Sequence, residues 1–304
     1  MTRQETLVRA MESLKAHSFH VATFFGSNTC FDIIARGPRE TLVVKIYENV
    51  DSIRKEQGEE LKKLGSVLGA KSIIIGERTK VFTLEDGTVY TRYGVDTLNP
   101  NTFDAILEDN APQKKYFKGK NTVGLDFEML KSKREELNMS MQELAEKIGV
   151  ATDTLQRFEK GASTSIETAK KIESVLDEKL VKGVDVLHPK IGEMSVDDEP
   201  TGEVFEKMHD LGLRMAFFRH SPFKAFGTSE PIFISTAKGA IDIPRKALEL
   251  RKASAIMDSD SIIVTKEYKY KSAGGVPIIE EDELGTLSKI RDLRKLIKER
   301  EEDE

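Results

Sequence analysis

Gln156 and Arg157 stand side by side near the end of the stretch Ser140–Gly161, SMQELAEKIGVATDTLQRFEKG. Their chemistry is that of recognition rather than of bond breaking. A guanidinium donates two N–H groups in a fork that matches guanine O6 and N7, and a carboxamide matches adenine N6 and N7. Each good pair of this kind discriminates between bases by about 1–3 kcal/mol. Asp153 could accept from cytosine N4, or favour a helix start electrostatically. These groups are useful only if one short helix holds them outward.

The flanking residues predict that helix. Ser140 and Glu143 have capping-box spacing, and Met141, Leu144, Ala145 and Ile148 repeat at i, i+3, i+4 and i+7 as one apolar face. Gly149 is placed to turn the chain in the left-handed region. Val150, Leu155 and Phe158 then give a second helix its inner side, with Thr152, Asp153, Gln156, Arg157 and Lys160 pointing out. Ala145 is small where the two helices must cross closely.

These residues resemble the helix-turn-helix of the Cro and lambda-repressor-like (XRE-type) family, from about Phe127 to Leu176. A leading helix carries Leu130 and Leu137. A trailing helix has a capping pattern at Thr164-Ile166-Glu167 and an inner side of Ile166, Ala169, Ile172 and Val175. Two positions depart from the family pattern: Met141 stands where Gln is common, and Ala151 replaces the usual Ser cap of the reading helix. Thr152 is therefore a substitute cap or an outward contact. The resemblance implies double-stranded DNA as partner, with the second helix in the major groove.

The chain has 304 residues and a net charge of -5, so nucleic-acid binding must come from a local patch. One such patch exists. Between Pro112 and Arg134, Lys114, Lys115, Lys118, Lys120, Lys131, Lys133 and Arg134 face only Asp126 and Glu128. Lys114, Lys115, Lys131, Lys133 and Lys160 are the expected phosphate contacts. Cys30 is the sole cysteine, which excludes an intramolecular disulfide and a cysteine zinc site. No apolar run approaches transmembrane length and the N-terminus reads as an amphipathic helix, so a cytoplasmic, nucleoid-associated protein without a membrane partner is expected.

The expected fold class is α/β plus all-α, with two related mixed-sheet α/β domains around a central helical one. The boundaries are 1–110 for the first α/β domain, 111–124 for a basic linker and 125–190 for the helix-turn-helix. An acidic linker at 191–201 leads to a second α/β domain at 202–304. In the first domain a hairpin is expected to turn at Asp86-Gly87, between Val81–Leu84 and Val89–Tyr93. In the last domain Ser261-Ile262-Ile263-Val264 parallels Ser72-Ile73-Ile74-Ile75, which suggests an internal duplication. Gly274-Gly275 reads as a hairpin turn, and 287–304 as a charged terminal helix.

Glu5, Asp32 and Lys45 raise a second chemistry. With Phe31-Asp32-Ile33-Ile34-Ala35 and Leu42-Val43-Val44-Lys45, they resemble the Holliday-junction resolvases among the restriction-endonuclease-like enzymes. That group holds a divalent metal with a strand Asp and a Glu two residues before a Lys. Here the Glu is replaced by Val43. Two oxygen ligands are needed to hold Mg²⁺, activate water and neutralise the developing phosphorane charge, and Val43 offers none. Some relatives move the acid to the following helix, where Glu56, Glu59 and Glu60 lie. The corresponding second-copy strand, Ile232-Phe233-Ile234-Ser235-Thr236, has neither the acid nor the Lys. His17, His20, His188, His209 and His220 lack metal-ligand spacing.

The expectation is a degenerate nuclease-like domain without catalytic residues, metal or cofactor. The alternative is a structure-specific, metal-dependent endonuclease. The whole arrangement resembles archaeal transcriptional regulators of the same class. A homodimer on a two-fold operator follows from the small footprint of one reader, with the α/β domains as candidates for dimerisation or for sensing an effector.

Overall fold

The structure is a computed structural model and describes residues 1–26, 29–117, 119–189 and 196–301. The first helix, α1 (Arg3–Ala16), starts at a capping box: Thr2 accepts from the Glu5 N–H, and the Glu5 carboxylate accepts from the Thr2 N–H. Strands β1 (His20–Thr23), β2 (Ile33–Arg36) and β3 (Thr41–Asn49) form an antiparallel run. Leu42, Val43, Val44 and Ile46 of β3 are all fully buried. A strand buried on both sides reads as a continuous apolar stretch. Here α1 covers one side, and α2 (Lys55–Val67) covers the other through Leu61 and Leu64. Strand β4 (Lys71–Arg78) lies parallel to β3, and β6 (Val95–Leu98) parallel to β4.

The hairpin expected at Asp86-Gly87 is corrected. Strand β5 (Thr88–Arg92) pairs with β6 instead, around Tyr93 (φ 51°) and Gly94 (φ 78°). Two consecutive positive φ values suit a two-residue turn of the kind that matches strand twist. The short helix α3 (Pro100–Leu107) follows, capped by Asn99.

The expected basic linker at 111–124 is also corrected. It forms strands β7 (Lys114–Phe117) and β8 (Lys120–Leu125), with β7 added in parallel to the edge of β5. Tyr116 supplies the reason: its ring lies 5.1 Å from Tyr90 and 5.5 Å from Phe82, so alternate residues gain a half-buried face. Helices α4 (Phe127–Glu136), α5 (Met141–Ile148), α6 (Thr152–Phe158) and α7 (Ile166–Leu176) come next. Strand β9 (Val181–Lys182) then returns to pair with β8 and closes a nine-stranded sheet, β1-β2-β3-β4-β6-β5-β7-β8-β9.

Of the expected acidic linker, 191–195 lies outside the described residues. Its remainder is docked rather than free. Val196 is buried in the core, the Asp198 N–H donates to the Met215 carbonyl at 2.9 Å, and the Asp198 carboxylate pairs with Lys63. The edge of the next strand offers open amides, and these take the acidic side chains as well.

The last segment contains α8 (Glu203–Asp210), β10 (Met215–Phe217), β11 (Ala225–Gly227), β12 (Ile232–Ala237), α9 (Ile243–Met257) and β13 (Asp260–Thr265). It ends with β14 (Ser272–Ala273), β15 (Val276–Glu280), α10 (Glu281–Thr286) and α11 (Ile290–Glu301). The six strands are ordered β10-β11-β12-β13-β15-β14, and each neighbouring pair has the same sense as in β1-β2-β3-β4-β6-β5. Gly274 and Gly275 turn the β14–β15 hairpin with positive φ, as Tyr93-Gly94 do in the first sheet.

The backbone bonds fix the correspondence between the two sheets. Phe24 N–H donates to Asp32 O and Asp32 N–H to Val44 O; likewise Phe218 donates to Lys224 O and Lys224 to Ile234 O. Equivalent residues also meet across the junction of the lobes. Phe31 and Phe223 are 6.2 Å apart, Lys63 of α2 donates to Phe217 O at 3.0 Å, and Lys252 of α9 donates to Thr23 O at 3.5 Å. One core cluster contains Phe24, Phe31, Val43 and Leu61 together with Phe218, Phe223, Phe233 and Leu250. Reciprocal contacts between equivalent positions mark a two-fold relationship, here within one chain.

Candidate nucleic-acid interface

The helical domain is built from a small core of its own. Leu130 of α4, Leu144, Ala145 and Ile148 of α5, Leu155 and Phe158 of α6, and Ala169, Ile172 and Leu176 of α7 are all buried together. Helix α5 begins with Ser140 accepting from the Glu143 N–H and Glu143 accepting from the Ser140 N–H, as its spacing predicts. Gly149 ends it at φ 74°, and Val150 N–H returns to Ala145 O. Helix α7 is capped by Ser165 accepting from Thr168 N–H, one residue later than expected.

Thr152 does not cap α6. Ala151 holds the cap position without any side-chain hydrogen bond, and Thr152 is the first helical residue, exposed. Asp153, Gln156, Arg157 and Lys160 are exposed as well. Arg157 donates to the Thr154 hydroxyl at 3.2 Å, a contact that exposed side chains exchange readily. The outward face of α6 is therefore accessible along its length, while Leu155 and Phe158 anchor the other side.

An ion pair that spacing did not reveal ties this face in place. Arg134 of α4 donates to both carboxylate oxygens of Glu159, at 2.7 and 3.2 Å, and to Met139 O at 3.0 Å. The two side chains are only 10% and 8% exposed. Arg134 counted among the basic residues of the patch, but its charge is spent inward. The available signal was a buried-face position for Arg134 on α4, in line with Leu130 four residues earlier.

The expected phosphate contacts divide in two. Lys131, Lys160 and Lys115 are exposed and carry no ion pair among the described residues. Lys133 is engaged within the protein: it bridges Glu136 at 3.1 Å and Glu178 at 3.4 Å, and these carboxylates, Glu136 foremost, raise its pKa. Lys114 lies 3.7 Å from Glu85, on the side of the hairpin that faces the first lobe. A carboxylate already paired with a cation reduces what that cation can give to a phosphate.

The nuclease-like positions come together only in part. Asp32 is buried and receives three donors: Arg3 at 2.6 Å, Lys45 at 3.1 Å and the Ile46 N–H at 2.7 Å. Lys45 also donates to Thr29 O at 2.6 Å, and burial lowers its pKa even though Asp32 works in the other direction. It is an interior ion-pair partner rather than an accessible phosphate contact.

Glu5 is corrected. Its carboxylate belongs to the α1 cap, and Arg3 from the same turn occupies the space beside Asp32. Val43 is fully buried opposite Ile34. Of the alternative acids, Glu60 accepts from the Arg219 and His220 N–H groups at 2.5 and 2.8 Å and meets His220 Nδ1 at 2.6 Å. Glu59 pairs with Lys55. Among the described residues no three carboxylate, imidazole or thiol side chains cluster to hold a metal. A divalent cation does not fit a carboxylate that two cations already neutralise. In the second lobe Lys224 and Ser235 take the places of Asp32 and Lys45, and Phe233 that of Val43.

Comparison with known proteins agrees with both halves of this picture. Residues 3–112 match the PD-(D/E)XK superfamily domain and residues 130–182 a helix-turn-helix domain. A provisionally named HTH-type transcriptional regulatory protein of Archaeoglobus fulgidus is 34% identical over 276 residues, 89% of each chain. The chain belongs to this family of archaeal HTH-type transcriptional regulatory proteins. Members from Pyrococcus furiosus, 31% identical over 98% of each chain, and Haloarcula marismortui, 30% identical over 93% of this chain and 94% of its own, bear the same name. The family resemblance thus runs through both lobes as well as the reader. No solved structure matches. No helix among the described residues is long and apolar enough to cross a membrane.

Proposed function

We propose that this HTH-type regulator binds double-stranded DNA sequence-specifically, with α6 in the major groove and Gln156 and Arg157 on base edges. The observation that carries the proposal is the two-sided character of α6: Leu155 and Phe158 are buried while Thr152, Asp153, Gln156, Arg157 and Lys160 are exposed. Asp153 lies in the first turn, where a carboxylate favours the helix start. Lys131 and Lys160, exposed on the helical domain, supply phosphate contacts. One such reader spans few base pairs, so a homodimer on half-sites about one helical turn apart completes the operator.

Binding of a duplex selected from random sequence, compared with a scrambled one, tests this reading. Arg157→Ala should narrow the preference by the worth of one base contact, about 1–3 kcal/mol. Equal binding of both duplexes by the unaltered chain would defeat sequence reading. A protein-to-operator ratio other than two would remove the dimer.

The two α/β lobes we read as copies of one ancestral unit, supported by their common strand order and reciprocal contacts. Their proposed role is to dimerise or to sense an effector in the cytoplasm, at the nucleoid. The first lobe is proposed to be a nuclease-like fold without nuclease chemistry, since Arg3 closes Asp32 and Val43 contributes no ligand. The superfamily match favours one rival, a structure-specific endonuclease. Incubation with branched DNA and Mg²⁺ or Mn²⁺ decides between them: cleavage abolished by Asp32→Asn would establish the rival.

A further inference from the structure

We propose that the β7–β8 hairpin is a second DNA contact, a rigid wing that grips the phosphate backbone beside the groove entered by α6. The inference rests on the reading of α6 as the DNA reader and extends the contact surface beyond the helical domain.

The pairing register sorts the hairpin into two faces. Lys114 opposite Val123 and Tyr116 opposite Asn121 share one face; Lys115 opposite Thr122 and Phe117 opposite Lys120 share the other. The first face is committed to the protein. Tyr116 stacks on Tyr90 and Phe82, and Glu85 takes both Lys114 and Asn121, the latter at 2.9 Å. The second face shows Lys115 and Lys120 to solvent, with Phe117 61% exposed between them in sequence and, among the described residues of the hairpin, no carboxylate on that face. The inner lysine is neutralised and the outer two are not. A surface with this charge pattern fits a polyanion.

Its position relative to the reader is fixed by backbone bonds. Val123 N–H donates to Thr164 O at 2.8 Å and Thr164 N–H to Val123 O at 2.9 Å, which joins β8 to the loop that follows α6. Strand β9 pairs beside it, and Asp126 N–H donates to Leu180 O at 2.7 Å, so β8 enters α4 without a free joint. Lys120 lies three residues along the strand from Val123, about 10 Å at the rise of a β-strand. The major groove is about 12 Å wide. An arm of this length beside the loop after α6 is of the size that a contact with the sugar–phosphate strand flanking the groove requires. Its contribution is therefore independent of sequence.

The test uses the full chain, the selected duplex and its scrambled counterpart, with affinity measured over a series of salt concentrations. Lys115→Ala/Lys120→Ala should weaken both duplexes by the same factor, leave their ratio unchanged, and remove about 1.8 from the slope of log affinity against log salt, the loss of two phosphate contacts. Lys15→Ala on α1, an exposed lysine remote in sequence from the reader, serves as the control and should change none of these. An unchanged slope and affinity in the double variant, with the unaltered chain still preferring the selected duplex, would overturn the wing and leave α6 as the reader. A loss confined to the selected duplex would overturn it too, because it would mark base reading. If the unaltered chain shows no salt-dependent binding at all, the DNA-reading proposal itself falls, and the wing with it.

Discussion

Arg134 and Glu159 are locked together by two hydrogen bonds, 2.7 and 3.2 Å, between α4 and the C-terminal end of α6 in the helix-turn-helix domain. The pair is nearly buried at the C-terminal end of α6. Its consequence is orientation: the pitch of α6 against α4 is set by a bidentate, charge-assisted contact as well as by Leu155 and Phe158.

Removing one partner should therefore be costly. Arg134→Ala leaves the Glu159 carboxylate nearly buried and unpaired, an expected loss of about 3 kcal/mol in the unfolding free energy. The double variant Arg134→Met/Glu159→Leu should recover most of that loss, since no charge then remains stranded. Thermal or urea unfolding of the two variants measures the difference.

Gly149 is a purely conformational requirement. At φ 74° it has open space around a notional Cβ, so substitution meets no clash. Gly149→Ala should cost about 1–2 kcal/mol from the backbone alone, seen as a lower melting temperature without loss of helical circular dichroism in the folded state.

Lys160 and Lys133 should separate in a salt series. Lys160→Ala is expected to lower the slope of log affinity against log salt by about 1. Lys133→Ala should change that slope less and lower stability instead, because Glu136 and Glu178 already hold its ammonium group.

Asp32→Asn should behave as a stability variant. It strips the charge that Arg3 and Lys45 share and leaves Lys45 buried beside a neutral amide, with an expected loss of about 2–3 kcal/mol. Denaturant unfolding of the full chain checks it. A fully stable variant would show that the cluster does not hold the lobe together.

The C-terminal helix α11 carries a pH dependence. Burial opposes ionisation of Glu283, but Arg300 at 2.5 Å, the Glu280 N–H and Lys271 outweigh it and hold its carboxyl at about 2. Because the folded-state value lies below the ordinary 4.5, this contribution is complete above that pH and is lost as pH falls toward about 2. Acid titration of the melting temperature should be flatter in this window for Glu283→Gln.

Local pattern carried a great deal. Ser140 with Glu143, the turn at Gly149 and the apolar repeat of α5 together dictate two helices and leave Gln156 and Arg157 outward. All of these determinants lie within one or two helical turns of each other. That Val43 stands where a carboxylate is expected is legible for the same reason, since its place is counted from Lys45 along one strand. Partners distant in sequence were decided by packing. Thr2 stands at capping-box spacing before Glu5, so the α1 cap is a local feature, but nothing near it says that Arg3 takes the place beside Asp32. Nothing near Lys114 says that Tyr116 will find Tyr90 and turn a basic stretch into a hairpin. Lys63 on Phe217 O and Lys252 on Thr23 O join the lobes across well over a hundred residues. A periodicity read along the chain tells which side of an element is buried; only the assembled core tells against what.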